Sequence, residues 1–376
     1  MSGAPLGIPA LALGAALWPA ALAAQIGVGA AIVRDSYAFN PGLAYEELRE
    51  ISIPVVASMG VGDRGELVLS TGWASLSASG AEEGSDLTIS GILDTEARFT
   101  WEVLPQRMSV VASVVLPSGT EALDAEDVPV LALLANEALD LSTVRFGAGG
   151  GFGGGVVGAL PVGRMAVGLA ATFRQELAYG PVAASPDELN PGLEARLRVG
   201  LEGPVGAAGY LRLAGVLSRR GEDEFADEPR GAAGNLWTGY AAYEQGLTSS
   251  NLVVYLLGRR RSDPRLEGTA LGPALLPRSS LLAFGGRWAF SVRRLDLLTA
   301  KAEYRRARAA PIAGGDDLEP LGTSLRAGFE YRYTASRTAA LVFLAEGLIG
   351  EAGDLQVDEL IGMTGYRLGL HLEWNP

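Results

Sequence analysis

The segment that most restricts the fold lies near the C-terminus. From Gly365 to Trp374, Arg367, Gly369, His371 and Glu373 alternate with Tyr366, Leu368, Leu370, Leu372 and Trp374. A period of two is the mark of a β-strand with one polar and one apolar face. The pattern recurs. Glu194, Arg196, Arg198 and Glu202 alternate with Leu193, Ala195, Leu197, Val199 and Leu201, and Arg326, Glu330 and Arg332 alternate with Leu325, Ala327, Phe329, Tyr331 and Tyr333. Glu96, Arg98, Thr100 and Glu102 alternate with Ala97, Phe99, Trp101 and Val103. No helical partner covers these apolar faces, so the covering material is lipid. A charge on a lipid face costs about 2–4 kcal/mol near the midplane. Such consistent sorting predicts an all-β fold, a transmembrane antiparallel up-and-down β-barrel.

The connections agree with that reading, because such barrels alternate short turns with long loops. Short turns are expected at 61–64, 105–107, 161–164, 204–206, 246–249, 292–293 and 335–337. Long connections are expected near 79–94, 117–144, 180–190, 220–233, 263–278, 307–321 and 349–364. With a first strand at Ile26 to Arg34 the count is sixteen strands, with fourteen and twelve as competing counts, and both ends lie at the short-turn side. A soluble antiparallel sandwich would need turns as often, but it does not explain the long–short alternation.

Composition removes other classes. After residue 24 no stretch of about twenty residues is free of charge, which a spanning helix requires. The net charge of −13 opposes binding to nucleic acid, whose phosphates need a basic surface. The chain has no cysteine, so neither disulfides nor thiolate chemistry arises. No cofactor motif or metal-ligand cluster stands out. Met1 to Ala24 is uncharged and ends Ala21-Leu22-Ala23-Ala24, which reads as a secretory signal peptide preceding a barrel over 25–376. The alternative, an uncleaved anchor, fits poorly with Pro5, Pro9 and Pro19.

Four short motifs follow one another: Ile53-Pro54, Gly62-Asp63-Arg64-Gly65-Glu66-Leu67, Leu93-Asp94-Thr95-Glu96-Ala97-Arg98 and Val115-Leu116-Pro117-Ser118-Gly119. Over residues 50–120 this succession resembles the outer-membrane transporter-like family of the phenol-degradation meta-pathway. The resemblance implies a barrel in the outer membrane of a Gram-negative-type bacterium that passes hydrophobic or aromatic compounds. Two departures are Ser118, where the family has threonine, and the ending Trp374-Asn375-Pro376 in place of a terminal aromatic read by the barrel-assembly machinery.

Period-two counting makes Glu96, Arg98, Glu102, Glu194, Arg196, Arg198, Arg212 and Arg287 lumen-lining. It does the same for Lys301, Glu303, Arg326, Glu330, Arg332, Arg367, His371 and Glu373. The wall they form is net basic and would attract anions; the same charges could equally build rigid ladders. Arg219-Arg220, Arg259-Arg260-Arg261 and Arg305-Arg306 with Arg308 fall at the outer ends of upward strands. Arginine forks match phosphates, so these residues are candidates for binding lipopolysaccharide, with the acids of 222–228 and 316–319 holding bridging cations. Pairing between those arginines and acids is the competing reading.

Gly149, Gly151 and Gly154 match G-x-G-x-x-G, but no helix opening on phosphate follows. A bent strand, or close packing of a loop or plug on the wall, explains the glycines better. Asp127-Val128-Pro129-Val130 with Leu131, Leu133, Leu134, Glu137 and Leu139 predicts a short amphipathic helix, lying on the rim or folded inward as a constriction. The expected function is passive passage of small solutes, with no catalytic residue. The competing expectation is a structural or assembly barrel with a filled lumen that anchors a surface or periplasmic partner. Outer-membrane lipid, a small-molecule solute and a second copy of the chain are the other expected partners.

Overall fold

Period-two alternation resolves into twenty strands in a computed structural model that describes residues 26–43, 45–80, 86–120, 137–143, 146–183, 185–265, 277–293, 295–310, 317–353 and 360–374. The expected signal peptide and most of the expected amphipathic helix lie outside these residues. The first strands are β1 (Ile26–Phe39), β2 (Tyr45–Val61), β3 (Gly65–Gly80), β4 (Leu87–Ile92), β5 (Thr95–Leu104), β6 (Met108–Leu116), β7 (Gly151–Val162) and β8 (Met165–Glu176). Next come β9 (Leu189–Asn190), β10 (Glu194–Val205), β11 (Gly209–Arg220), β12 (Asp223–Phe225), β13 (Glu228–Gly231), β14 (Leu236–Gly246) and β15 (Ser250–Arg261). The last are β16 (Ser279–Ser291), β17 (Leu297–Ala309), β18 (Glu319–Thr334), β19 (Ala339–Ala352) and β20 (Ile361–Trp374).

Seventeen of these strands form one antiparallel sheet that closes when β1 pairs with β20, Val28 opposite Trp374 and Phe39 opposite Met363. The outer half of β3 pairs with β4 and its inner half with β5, so β4 and β5 share one place and the wall has sixteen positions. Closure through β1 and β20 removes the open edges that a flat sheet of these strands would carry. Strands β9, β12 and β13 make a separate small sheet from the two loops flanking β10 and β11.

The expected short turns fall between β2 and β3, β5 and β6, β7 and β8, β10 and β11, β14 and β15, β16 and β17, and β18 and β19. Gly62 and Gly163, at φ of 59° and 61°, supply the left-handed residue that such tight connections need. Both ends of the barrel lie at this side. Three expectations change. The first strand runs on to Phe39, because Asp35 and Tyr37 on its other face are buried inside. The 79–94 connection contains β4, which extends the wall of β3, and the 307–321 connection narrows because β17 and β18 continue into it.

Opposed residues of an antiparallel pair share a face, so the register carries one face around the wall. On the outer face Leu169, Leu197, Phe284, Phe329 and Leu368 are between 49% and 59% exposed. A continuous apolar belt of that size needs lipid around it. Trp101, Trp288 and Trp374 mark its short-turn border, and Phe152, Trp237 and Tyr366 its long-loop border, like the aromatic girdles of membrane barrels.

Candidate functional site: the barrel interior

The inward face is charged, and a loop enters it. The connection from β6 to β7 leaves one wall, yet its residues 137–143 touch the opposite one. Arg259 on β15 contacts Glu137 at 3.0 Å, Ser324 on β18 donates to the Ala138 carbonyl at 3.0 Å, and Tyr37 on β1 donates to the Leu139 carbonyl at 2.6 Å. Glu50 on β2 accepts from the backbone N–H groups of Ser142 and Thr143 at 2.9 and 2.7 Å. The segment therefore crosses the barrel.

Asp140 is the centre of this contact. Its carboxylate lies 2.6 Å from Arg305, 3.0 Å from Arg326 and 3.6 Å from Arg367, side chains from three strands. Arg367 also binds Asp35 through Nε and Nη2 at 2.7 and 3.1 Å and donates to the Asp140 carbonyl at 2.6 Å. Charge-assisted bonds of this kind are each worth about 1.5–3 kcal/mol. The backbone of Asp140 is left-handed, with φ of 53°, a conformation aspartate tolerates better than most residues. On the long-loop side of this latch Leu139, Leu141 and Phe146 pack with Tyr37, Phe39, Leu48, Leu76, Ile89, Leu348, Ile361 and Met363 into a buried apolar cluster inside the barrel.

The returning end is tied as well. Asp94, at the break between β4 and β5, accepts from the N–H groups of Gly119 and Ala148 at 3.0 and 2.8 Å. Ser118 bonds Thr95 at 2.9 Å through both its hydroxyl and the Thr95 N–H. Two of the four motifs that carry the family resemblance, 93–98 and 115–119, thus meet at one joint.

All sixteen expected lumen residues project from the inward face by register. Arg326, Arg367 and Glu303 belong to the latch, Glu303 through Arg305 and Tyr255. Arg332 pairs with Glu373, Lys301 with Glu330 at 2.5 Å, Arg196 with Glu194 at 2.7 Å, and Arg212 with Glu202 and Glu244 at 3.7 Å each. Arg98, Arg198, Arg287, Glu96 and Glu102 have no ion pair among the described residues, and the Nε2 of His371 has no hydrogen-bond partner there.

The eight rim arginines divide by face. Arg220, Arg259, Arg261 and Arg305 turn inward, where Glu176, Glu137 and Asp140 engage three of them. Arg219, Arg260, Arg306 and Arg308 turn outward. Adjacent residues of a strand must point to opposite faces, so a run of arginines cannot act as one patch. Of the acids expected to bridge cations, Asp223 is buried, accepting from the Gly192 N–H at 2.8 Å with Arg220 at 3.8 Å. Among the described residues there is no cluster of metal-type ligands.

Sequence reading missed Asp35, Tyr37, Glu50, Asp94 and Asp140. The first three lie on the polar beat of β1 and β2 and could have been found by counting; Asp140 sits in a loop with no period. The described part of the inward segment packs on β15–β20 and β1–β4, and Gly149 and Gly150, at φ of 72° and 84°, lie where an added side-chain carbon would meet Tyr179 and Pro117.

No family profile matches the chain, and no curated protein sequence is significantly similar to it. Solved structures similar to it include a bacterial polysaccharide outer membrane secretin, at 7% identity over 93% of this chain and 98% of that one, TM-score 0.48. Another is OccK11 (OpdR) of Pseudomonas aeruginosa, at 12% identity over 94% and 96%, TM-score 0.47. A third is the CymD monoaromatic hydrocarbon channel, at 12% identity over 94% and 88%, TM-score 0.43. Likenesses this distant carry nothing to the chain, so its class rests on its own strand pairing. A closed sixteen-position antiparallel barrel with an apolar belt, two aromatic girdles and a charged interior is an outer-membrane β-barrel protein.

Proposed function

We infer that the protein is a passive channel whose conduit runs off-centre, between the inward segment and the wall from β5 to β11. One observation carries this reading. Arg98, Arg196 and Arg198 point into a closed barrel and are nevertheless solvent-exposed. A filled lumen buries its inward side chains, as happens to Arg326 at 9% exposure across the barrel. The inward faces of β7 and β8 between those arginines are small, with Gly153, Gly155, Gly168 and Ala170, which widens that side.

An exposed wall rich in arginine favours anions. The short motifs of 50–120 add the lean toward hydrophobic or aromatic solutes, and the two together favour aromatic compounds carrying a carboxylate. Insertion by the barrel-assembly machinery belongs to the same reading. The second reading, a structural or assembly barrel that anchors an envelope partner or a second copy, is favoured by the buried latch, which occupies lumen between β15–β20 and β1–β4.

Single-channel recording of the refolded protein in a planar bilayer separates them. The channel reading expects discrete conductance, reduced by aromatic carboxylates and less anion-selective in an Arg196→Ala/Arg198→Ala variant. A folded barrel that stays silent would overturn it in favour of the anchoring role.

A further inference from the structure

The outward wall carries a feature that passage of solute does not use. Across β11, β14 and β15, Gly215 is opposite Gly239 and Gly239 is opposite Gly258. The same row continues to Val199 on β10 and Leu282 on β16. These residues, with Leu201, Leu213 and Leu256 in the next row, line an apolar depression of about 500 Å³ on the lipid-facing surface. A side-chain carbon added at Gly215, Gly239 or Gly258 would meet no atom within 4 Å, so the depression is open to the bilayer.

Two residues further toward the long-loop end, about 7 Å along a strand, the outward position on β15 is Arg260. Arg260 lies opposite Trp237 on one side and Ser280 on the other, and Ser280 lies opposite Arg308. Arg219 on β11 and Arg306 on β17, the latter opposite Leu282, project from the same face. Arg219, Arg260 and Arg306 are exposed, and none of the four arginines has an ion pair among the described residues. Tryptophan in a girdle marks the depth of the lipid headgroups, which places the guanidinium groups of Arg260 and Arg308, in register with Trp237, where outer-leaflet phosphates lie. Guanidinium forks bind phosphate in bidentate fashion.

We propose that this face is a specific site for a phosphorylated lipid of the outer leaflet, its phosphate held by Arg260 and Arg308 and an acyl chain seated in the glycine-floored depression. The charge decides the occupant: a second copy of the chain would bring the same arginines to the contact, and like charges oppose it.

Native mass spectrometry of the detergent-released full-length barrel tests the site, with diphosphoryl lipid A as probe and phosphatidylcholine as the comparison lipid. The wild type should retain one diphosphoryl lipid, and inorganic phosphate should not displace it. Arg260→Ala/Arg308→Ala should weaken retention by about tenfold or more. Gly239→Leu, whose added Cβ meets no atom within 4 Å and whose side chain occupies the depression, should weaken it while leaving the arginines in place. Equal retention by wild type and both variants would overturn the proposal, as would displacement by inorganic phosphate, equal retention of phosphatidylcholine, or a dimer that Gly239→Leu disperses.

Discussion

The two sides of this barrel treat their inner faces differently. From β17 through β20 and on through β1 to β3 the strands are 13 to 17 residues long. On the opposite side, β5 to β8, β10, β11, β14 and β15 are 9 to 12. The extra residues sit at the long-loop end, where Phe39, Leu48, Ala78, Ala352 and Ile361 are buried against the inward segment. A strand continues beyond the bilayer when something covers its inner face, since each Å² of apolar surface removed from water is worth about 25 cal/mol. Where nothing covers it, the strand stops near the length that lipid requires. On the first side the inner face has become a protein core; on the other, Arg98, Arg196 and Arg198 of the inner face are exposed among the described residues.

The sharpest test of that contrast makes one change on each side. Arg367→Ala leaves Asp35, 0% exposed, as a buried carboxylate without its cation. Removing one partner of a buried pair costs about 3–5 kcal/mol. Arg198→Ala removes an exposed arginine with no ion pair among the described residues and should change stability by no more than about 0.5 kcal/mol. Denaturant midpoints of the two refolded variants compare them directly; similar losses would mean that the β5–β11 side is as filled as the other.

Asp140→Asn should come next, at about 1.5–3 kcal/mol. Asparagine tolerates the left-handed backbone but withdraws the charge that Arg305, Arg326 and Arg367 share. The expected result is faster hydrogen exchange at 137–143 and, on the proposed channel reading, larger, noisier currents. Unchanged currents would show that the segment lies outside the solute path. Glu50→Gln should cost about 1–2 kcal/mol, because the amide still accepts one N–H but not both. Its loss should appear as exchange at Ser142 and Thr143 with the barrel midpoint almost unmoved.

The contrast between the two sides was only half legible in the sequence. The outward face was, since lipid admits no charge and every second residue from Leu193 to Leu201 reports it. The turns were too, because a connection of two to four residues needs glycine or its like. The strand β4 escaped notice because Thr88 and Ser90 stand on its outward beat, where an apolar residue was expected. The latch was illegible for another reason: Asp140 is defined by three arginines that are 165, 186 and 227 residues away in sequence, and no local period encodes such a meeting. The rim arginines, by contrast, could have been sorted from the start, because Arg219 and Arg220 cannot face the same way in a strand.

The smallest effect belongs to the sheet of β9, β12 and β13, which joins the loops at the long-loop ends of β10 and β11, away from the latch. Burial pushes the Asp223 carboxyl above the usual carboxylate range, against the lowering by the Gly192 N–H bond and by Arg220. A raised folded value means that the protonated form is favoured on folding. That contribution is complete below the unfolded value, near pH 4, and is lost as the pH rises through the folded one. At neutral pH the buried charge is therefore a small local liability. Asp223→Asn keeps an oxygen for the Gly192 N–H and removes the charge, so it should firm the hairpin at pH 7 by no more than about 0.5 kcal/mol, with the gain vanishing below about pH 4. Limited proteolysis in the 180–232 loops at the two pH values reads this. Faster cleavage of the variant at pH 7 would mean that attraction to Arg220 outweighs burial, and the sheet would then be held by the same kind of charge pairing that holds the filled side.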